Sequence, residues 1–386
     1  MTKITGLAGL RPSASAAKRI TCPPYDVIKP GTKLEALLQE NLQSMYHVVL
    51  GDQPVRTLEK MKACGDLITD TEEAFYVYEQ CYGEKRRIGV LAAVEVSAYE
   101  EKQVIRHEKT FDSKVQGRIK LMEETGYITE PIWLLTPQPI GALLEAIAEK
   151  DEPVYAFTSD FQGESELSGI ANRVFRVPAQ SAQGKQLAEM VSKTALYIAD
   201  GHHRYHSALR MGLDRCIAYL CEAGHAHIQA YNRVIKGKAS LATIKDQLPL
   251  QEESAFTTPQ RHQFQLYTRE GCFSYRVTEV DEDDVVGRLD CRLLEKTLYP
   301  LLGLGHEMIH DPAFFDYYPE QDLAAMESIV ERGTYDLAVA LHPVSAEELM
   351  AVADAGIVNP EIVMPEKSTF FAPKILSGLI LIPTKG

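Results

Sequence analysis

The stretch ALYIADGHHRYHSAL spans residues 195–209, and it decides how the fold is predicted. Residues 195–199 form an apolar run that predicts a buried strand, and residues 202–211 have the pattern of a helix. Asp200 and Gly201 lie between them, where glycine permits the tight bend that joins a strand directly to a helix. The stretch therefore predicts a strand–turn–helix unit with a cluster of polar side chains at the turn.

The start of this predicted helix is suited to anion binding. First-turn N–H groups have no partner within a helix, and the helix dipole adds positive potential there. Arg204 supplies a fork of donors that matches phosphate, and His202 and His203 supply further donors. Asp200 is placed to hold Mg²⁺ or to orient a hydroxyl, and Gly201 completes the turn. The simpler alternative makes Asp200 a helix cap and the histidines surface residues.

The composition excludes several classes of protein. The chain has 386 residues, 45% of them hydrophobic and 24% charged, so it has ample material for a core. Its net charge is −14 and no dense basic run occurs, so we expect no nucleic-acid partner. No stretch reaches the eighteen or so apolar residues of a membrane helix, and no signal peptide is evident. Seven cysteines without a CxxC pair indicate reduced thiols, which predicts a cytoplasmic protein without membrane contact.

Hairpins and helices follow one another along the chain without a regular βαβ alternation. Residues 75–82 and 87–99 predict a hairpin, and a second one is predicted at residues 262–268 and 273–279. Helices are predicted at residues 33–47, 114–125, 140–148, 184–192, 238–246, 290–300, 319–331 and 345–355. The mixture predicts the α+β class. We expect a catalytic core over residues 1–230 and a C-terminal α/β lobe over residues 231–386, whose final loop returns to the active site.

The segment Asp200-Gly201-His202-His203-Arg204 resembles the signature of the ParB/sulfiredoxin superfamily. Within it, the segment is most similar to the free-serine kinases, which carry a similar stretch and an upstream His-Glu pair. Arg106-His107-Glu108 matches that pair here. The resemblance implies a ParB/sulfiredoxin-like nucleotide-binding core. The essential cysteine of sulfiredoxin would fall at His202, so its redox activity is not implied.

Almost the whole chain also resembles a bacterial family known only as domain-of-unknown-function family 1015. The matching elements are Cys22-Pro23-Pro24-Tyr25-Asp26-Val27, Arg106-His107-Glu108-Lys109-Thr110, the Asp200 motif, and Met364-Pro365-Glu366-Lys367-Ser368-Thr369-Phe370-Phe371 with Pro373-Lys374. Two positions depart from that family. Gly117 stands where an Asp is usual, and Tyr231-Asn232-Arg233 stands for a Thr-His-Arg. These departures predict a divergent member with an altered substrate or reduced activity.

The likeness to the serine kinases implies roles for individual residues. Glu108 would be the general base, and Asp200 would assist it or hold Mg²⁺. Tyr25 and Asp26 would hold the substrate through an ammonium group or a ribose hydroxyl. The residues predicted to bind nucleotide phosphates are Gly201, His202, His203, Arg204, Arg106, His107, Lys367, Ser368, Thr369 and Lys374. Residues 367–369 lack the preceding glycines of a P-loop, so a purely structural loop is the alternative there.

Together these patterns predict Mg²⁺-assisted phosphoryl transfer from ATP or ADP to a small hydroxyl compound, with free L-serine as the leading acceptor. The expected partners are the nucleotide and this small molecule, and a homodimer is one assembly to consider. Two alternatives stay open. One is a nucleotide-binding switch like the CTP-dependent partition proteins. The other is a zinc hydrolase using His202, His203 and His206, because residues four apart share a helix face.

Overall fold

The computed structural model describes residues 2–161, 167–237, 241–309 and 311–385. The chain divides into two compact units, one formed by Met1–His227 with Pro373–Gly386 and the other by Ile228–Ala372. The C-terminal segment thus belongs to the first unit, whereas the sequence-based division assigned it to the second lobe. The α+β class predicted from the sequence is confirmed, because each unit combines a largely antiparallel sheet with helices.

The first unit is built around a mixed sheet that joins ten strands of the described chain. The strands of this unit are β1 (Ile4–Thr5), β2 (Leu7–Pro12), β3 (Leu67–Tyr82), β4 (Lys85–Glu95), β5 (Val104–Ile105), β6 (Tyr127–Ile128), β7 (Ile132–Thr136), β8 (Tyr155–Thr158), β9 (Ala171–Pro178), β10 (Leu196–Asp200), β11 (Arg215–Glu222) and β20 (Ile382–Pro383). Its helices are α1 (Ala17–Ile20), α2 (Lys33–Glu40), α3 (Tyr46–Val49), α4 (Pro54–Ala63), α5 (Asp112–Thr125), α6 (Gly141–Lys150), α7 (Ala182–Val191) and α8 (His202–Arg210).

The long hairpin of β3 and β4 forms the middle of this sheet. The main path runs in the order β5-β10-β7-β11-β4-β3-β9-β8, and β1 and β2 pair with β4 and β3. Gly83 turns the hairpin with a φ of +53°, which a glycine adopts without steric strain. Trp133 of β7 and Tyr219 of β11 are buried in the core beneath Arg87, whose guanidinium lies 4.1 Å from the Trp133 ring.

The predicted strand–turn–helix unit is present as β10, Gly201 and α8. The β10 strand pairs in parallel with β5 and antiparallel with β7, so it lies inside the sheet. The α8 helix buries Tyr205 and Ala208, and the Tyr205 hydroxyl accepts from the Ser97 amide at 3.0 Å and donates to the Ser97 carbonyl at 2.9 Å. These contacts hold the helix start at the carboxyl end of β10.

The second unit contains a six-stranded sheet in the order β14-β16-β15-β18-β13-β17, in which β15 and β16 form an antiparallel hairpin. Its strands are β12 (Ile228–Gln229), β13 (Asn232–Ile235), β14 (Gln251–Glu253), β15 (Gln263–Thr268), β16 (Gly271–Arg276), β17 (Phe315–Tyr318), β18 (Leu337–Leu341) and β19 (Phe370–Phe371). Its helices are α9 (Leu241–Gln247), α10 (Asp290–Thr297), α11 (Leu323–Glu331) and α12 (Ala346–Val358). The predicted helix at residues 238–246 begins outside the described residues.

No helix in the described ranges combines the length and the apolar character that crossing a bilayer requires.

Candidate active site

The register of two parallel strands brings the two predicted acidic residues to the same edge of the sheet. Val104 of β5 lies opposite Leu196 of β10, and Ile105 lies opposite Tyr197. Beyond these pairs the two chains run in the same direction toward Glu108 and Asp200, and the charge of Asp200 acts on the Glu108 carboxyl. Residues 92 positions apart in sequence therefore meet just beyond the strand ends, where the sheet no longer satisfies their polar groups.

Asp200 is held between two cations of the first unit. Its Oδ2 atom accepts a hydrogen bond from Lys374 Nζ at 3.1 Å and lies 3.6 Å from Arg204 Nη2. Burial opposes the ionisation of this carboxyl, but the charges of Lys374 and Arg204 outweigh it and hold its pKa well below the usual range. Lys374, one of the predicted residues, therefore lies at the site.

The turn at Gly201 brings Arg204 back over the backbone. Gly201 has a φ of +92°, and a Cβ atom placed there would lie 3.0 Å from Arg204 Nε. The Arg204 guanidinium also donates to the Pro131 carbonyl oxygen, which fixes it in this position. No side chain caps α8, so its first turn depends on water or a ligand for hydrogen-bond acceptors.

Glu108 contacts two buried imidazoles. His107 Nε2 lies 3.7 Å from Oε1 of Glu108, and His202 Nδ1 lies 3.4 Å from Oε2. The Glu108 side chain is 43% exposed, whereas those of His107 and His202 are 0% and 3% exposed. Burial opposes ionisation, but His202 and then His107 lower the pKa of Glu108 to about 2. The Glu108 carboxylate is therefore ionised at neutral pH. It is partly exposed to solvent, and each of its two oxygens faces one of the two imidazoles.

The adjacent histidines tie the loop at residues 106–111 to the start of α8. His202 Nε2 accepts from the His107 amide at 3.4 Å, and His203 Nε2 accepts from the Phe111 amide at 3.0 Å. Each acceptor nitrogen must be unprotonated, so both rings are neutral with the proton on Nδ1. Burial lowers the pKa of His202 to about 3 and also lowers the pKa of His203. His202 Nδ1–H therefore donates toward Glu108.

A network around Glu130 adjoins the site, and the sequence analysis did not single out this residue. Glu130 is buried and accepts from Ser377 Oγ at 2.8 Å, from Arg118 Nη1 at 3.1 Å and from the Tyr25 amide at 3.2 Å. The Arg118 guanidinium lies 3.9 Å from the centre of the Tyr25 ring. Local sequence carries no strong signal for Glu130, because its partners are 12 to 247 residues away.

A small pocket lies against this network in the first unit. Its charged lining residues are Arg118, Glu130 and Arg204, and most of the remaining wall is apolar, with Leu121, Met122, Ile128, Ile132 and Ile217 among its residues. Arg204 thus lines the pocket on one side and pairs with Asp200 on the other. Arg204 therefore connects the pocket with the Asp200 carboxylate.

Tyr25 and Asp26, the predicted substrate-binding residues, lie at the same place. The Tyr25 ring is half-buried under Arg118, and burial followed by the charge of Asp26 raises the pKa of its hydroxyl to about 12. Desolvation by the surrounding protein and the negative charge of Asp200 raise the pKa of Asp26, although its side chain remains open to solvent.

The remaining predicted residues are described by their surroundings within their own units. The Arg106 guanidinium stacks 4.5 Å from the Tyr99 ring, on the side of His206 rather than of Glu108. Lys367, Ser368 and Thr369 belong to the second unit, where the Lys367 ammonium lies over the rings of Tyr231 and Tyr317 and the Ser368 hydroxyl is buried. The phosphate-binding role assigned to these residues stays a prediction.

The zinc ligands predicted from helical spacing are not brought together. The His206 ring stacks on Tyr99 at 6.0 Å, and the His203 ring stacks on Phe111 at 5.8 Å. Within the described residues, the groups that are close enough to share a metal ion are His107, Glu108 and His202. Residues four apart on α8 share a face, but His202 is the one that lies near further ligands. The loop at residues 106–111 supplies these ligands, His107 and Glu108.

Residues 4–292 match the family described as Protein of unknown function (DUF1015). The chain belongs to this family. No curated protein matches it. Solved structures similar to it include a free serine kinase in complex with AMP, at 14% identity and a TM-score of 0.38, covering 75% of this chain and 92% of that one. SbnI with a C-terminal truncation from Staphylococcus aureus is 12% identical, with a TM-score of 0.41 and coverages of 76% and 87%. A conserved hypothetical protein from Pyrococcus furiosus is 14% identical, with a TM-score of 0.34 and coverages of 74% and 92%.

The two positions at which this DUF1015 protein departs from the expected motifs lie in different settings. Gly117 lies on the exposed side of α5, and a Cβ atom there would have nothing within 4 Å. Asn232 and Arg233 are buried in β13, where Asn232 Oδ1 accepts from the Leu341 amide at 3.2 Å and Arg233 donates to the Tyr299 hydroxyl at 2.6 Å. Asn232 and Arg233 therefore stabilise the second unit.

Proposed function

We propose that this DUF1015 protein is a nucleotide-dependent phosphotransferase that moves a phosphoryl group from ATP or ADP to the hydroxyl of a small acceptor, with free L-serine as the leading candidate. The observation that carries the proposal is an ionised, partly exposed carboxylate, Glu108, held next to an uncapped helix start, where Asp200 pairs with the two cations Arg204 and Lys374.

The cationic half of the site suits the phosphates. Phosphoryl transfer depends mainly on positioning and on stabilising charge at the oxygens of the transferred group. The first-turn amides of α8 and the Arg204 fork are donors of that kind, and the Asp200 carboxylate keeps Arg204 and Lys374 in place. Asp200 would therefore act chiefly by orienting these cations in the proposed reaction.

The anionic half suits the attacking hydroxyl. With a pKa of about 2, Glu108 is ionised at neutral pH and can accept a hydrogen bond from the acceptor hydroxyl. Its main role would be to position the hydroxyl and to receive its proton, because the transition state of phosphoryl transfer carries little bond formation to the nucleophile. His107 and His202 would be positioning residues that fix the direction of the carboxylate.

Mg²⁺ would be held by oxygen ligands at Asp200 and Asp26. Asp200 Oδ2 is paired with Lys374, so Oδ1 is the atom that could contribute, and the Asp26 carboxylate is exposed nearby in the same charge network. An oxygen-only donor set fits a magnesium ion that is also bound to nucleotide phosphates. The ion would supply neutralisation of the phosphate charge.

The pocket next to Arg204 would hold the acceptor. Its charged residues, Arg118, Arg204 and Glu130, present both signs of charge to a small volume. A zwitterionic amino acid, which carries both signs of charge, complements such a lining better than an uncharged polyol does. This distribution, together with the likeness of the Asp200 motif to the free-serine kinases, favours L-serine.

The test is a phosphorus NMR assay of the full chain with ATP or ADP, Mg²⁺, and a panel of serine, threonine, ethanolamine and glycerol. We expect phosphoserine with one of the nucleotides. Glu108→Gln should lower kcat by about 100-fold or more, because a general base typically contributes 10²–10⁴. Glu189→Gln, an exposed carboxylate on α7, is the matched control and should keep the wild-type rate.

Three outcomes would contradict the proposal. If neither nucleotide yields a phosphorylated acceptor, the proposed phosphotransferase activity is wrong. Tight nucleotide binding with slow hydrolysis that no acceptor accelerates would instead favour the nucleotide switch. A Glu108→Gln variant that turns over at the wild-type rate would remove the assignment of Glu108 even if the activity is present.

A further inference from the structure

We infer that His107, Glu108 and His202 form a binding site for one divalent transition-metal ion of the zinc class, distinct from the oxygen-ligand Mg²⁺ site proposed at Asp26 and Asp200. One ligand atom from each of the three residues lies within 4.8 Å of the other two. The inference does not depend on the proposed phosphotransferase, because binding of the ion requires neither nucleotide nor acceptor.

The spacing of the ligand atoms matches a small metal ion. His202 Nδ1 lies 3.4 Å from Glu108 Oε2, and His107 Nε2 lies 3.7 Å from Glu108 Oε1. Zinc–nitrogen and zinc–oxygen bonds of about 2.0–2.2 Å place tetrahedral ligands about 3.4 Å apart. The two distances involve the two different oxygens of Glu108, so the ion would be held by both carboxylate oxygens, or the carboxylate would turn to offer one oxygen between the imidazoles.

The surroundings of His107 give an independent indication that the site binds a cation. Its side chain is fully buried, and neither ring nitrogen makes a hydrogen bond within the described residues. Its ring contacts that of His202 edge-on, with 4.5 Å between the centroids. Buried polar groups in native structures almost always have a partner, because an unsatisfied one loses its hydration without compensation. A cation bound at Nε2 would supply that partner.

The ligand types select the class of metal. Two imidazoles and one carboxylate suit borderline ions such as Zn²⁺ and Co²⁺, whereas Mg²⁺ prefers oxygen ligands. Glu108 is 43% exposed, so the ion has a path from solvent and retains room for water as a fourth ligand.

Binding requires one rearrangement of a proton. In the ligand-free protein His202 carries its proton on Nδ1 and accepts from the His107 amide through Nε2. A metal at Nδ1 would move that proton to Nε2 and release the amide. The released His107 amide would then need another acceptor, so binding requires the metal–nitrogen bond to outweigh the loss of this long, 3.4 Å contact.

A metal ion bound at this site would occupy the Glu108 carboxylate, which is the general base of the proposed reaction. Zn²⁺ should therefore inhibit phosphoryl transfer under conditions in which Mg²⁺ supports it. Inhibition is only a secondary readout, since the primary measurement is the binding of the ion itself.

The experiment uses the full chain stripped of metal with a chelator and carrying Cys64→Ser, which removes an exposed thiol. Zn²⁺ affinity is measured by competition with a chromophoric chelator, and Co²⁺ is used to record the visible spectrum. We expect one ion per chain and no thiolate-to-cobalt band. His107→Ala and Glu108→Gln should each weaken Zn²⁺ binding by about 100-fold or more, because each removes a direct ligand. His206→Ala, a histidine on the other side of α8, should change it by less than about threefold.

Folding of the variants is checked by circular dichroism, and Glu108→Gln is the safer of the two because its side chain is partly exposed and keeps its shape. Zn²⁺ should raise the Tm of the parent protein and leave that of Glu108→Gln unchanged. The inference is overturned if the parent binds no Zn²⁺, if a folded Glu108→Gln binds it as tightly, or if His206→Ala weakens binding equally. If the parent binds Zn²⁺ but forms no phosphorylated product in the assay with Mg²⁺, the proposed function is wrong and the inferred zinc site is unaffected.

Discussion

Replacing Gly201 by alanine should destabilise the first unit by about 2–3 kcal/mol. The φ of +92° lies in the left-handed region, where an L-residue costs about 1–2 kcal/mol. The added methyl would also lie 3.0 Å from Arg204 Nε and 3.1 Å from Cζ. Arg204 is tied to the Pro131 carbonyl and to Asp200, so relieving this contact disturbs at least one of those interactions and adds about 1 kcal/mol.

Gly117→Ala is the matched control, because it is the same chemical change with the opposite expected sign. Gly117 lies inside α5 on an exposed face, and the methyl group of an alanine there would have no other atom within 4 Å. Alanine should therefore stabilise the helix by about 0.5–1 kcal/mol. Urea unfolding followed by circular dichroism would measure both variants, with the first unit's transition fitted separately from the second.

The two variants should thus differ by about 3 kcal/mol, the sum of the two effects. A Gly201→Ala protein as stable as the parent would refute the argument that this turn requires a residue without a side chain. ADP affinity, measured by calorimetry, should fall about tenfold in Gly201→Ala if the first turn of α8 and Arg204 hold the phosphates.

Two further predictions concern buried polar groups. His202 has a pKa of about 3 in the folded protein against 6.5 when unfolded, so the unfolded state binds the proton first and stability falls as the pH drops from about 6.5 to 3, by up to about 1.4 kcal/mol per unit. Glu108 acts in the same direction below 4.5. His202→Asn should flatten the profile in pH-dependent unfolding, and an unchanged slope would contradict this. Tyr205→Phe should cost about 1–3 kcal/mol in urea unfolding by leaving both Ser97 backbone groups unpaired; a neutral substitution would show that water replaces the hydroxyl.

Most regular elements were predictable because their signals are local. The strand–turn–helix at residues 195–209 combines an apolar run, a glycine and an amphipathic pattern, and the structure follows it within a residue or two. The predicted helix at residues 33–47 is instead two shorter helices, α2 and α3, separated by Asn41, whose side chain donates to the Arg19 carbonyl at 2.7 Å. The α4 helix was missed although Pro54 marks its first turn.

Part of the candidate site was also within reach of the sequence. The Asp200 motif and the His107-Glu108 pair were identified from residue type and family likeness, and the register of β5 with β10 brings them together. Composition alone could not separate Lys374 from Lys367. These lysines are seven residues apart, yet one pairs with Asp200 in the first unit and the other lies over tyrosine rings in the second.

The sequence by itself determined the α+β class, the glycine turn and the identity of the charged residues, because backbone preference and hydrophobic periodicity act over a few neighbouring positions. Only the tertiary structure decided which polar groups meet. Glu130 acquires Arg118 and Ser377 as partners, and the His107 ring is buried beside Glu108 with neither of its nitrogens hydrogen-bonded among the described residues. Such pairings depend on strand register and on chain segments far apart, where a shift of one residue turns a side chain to the opposite face.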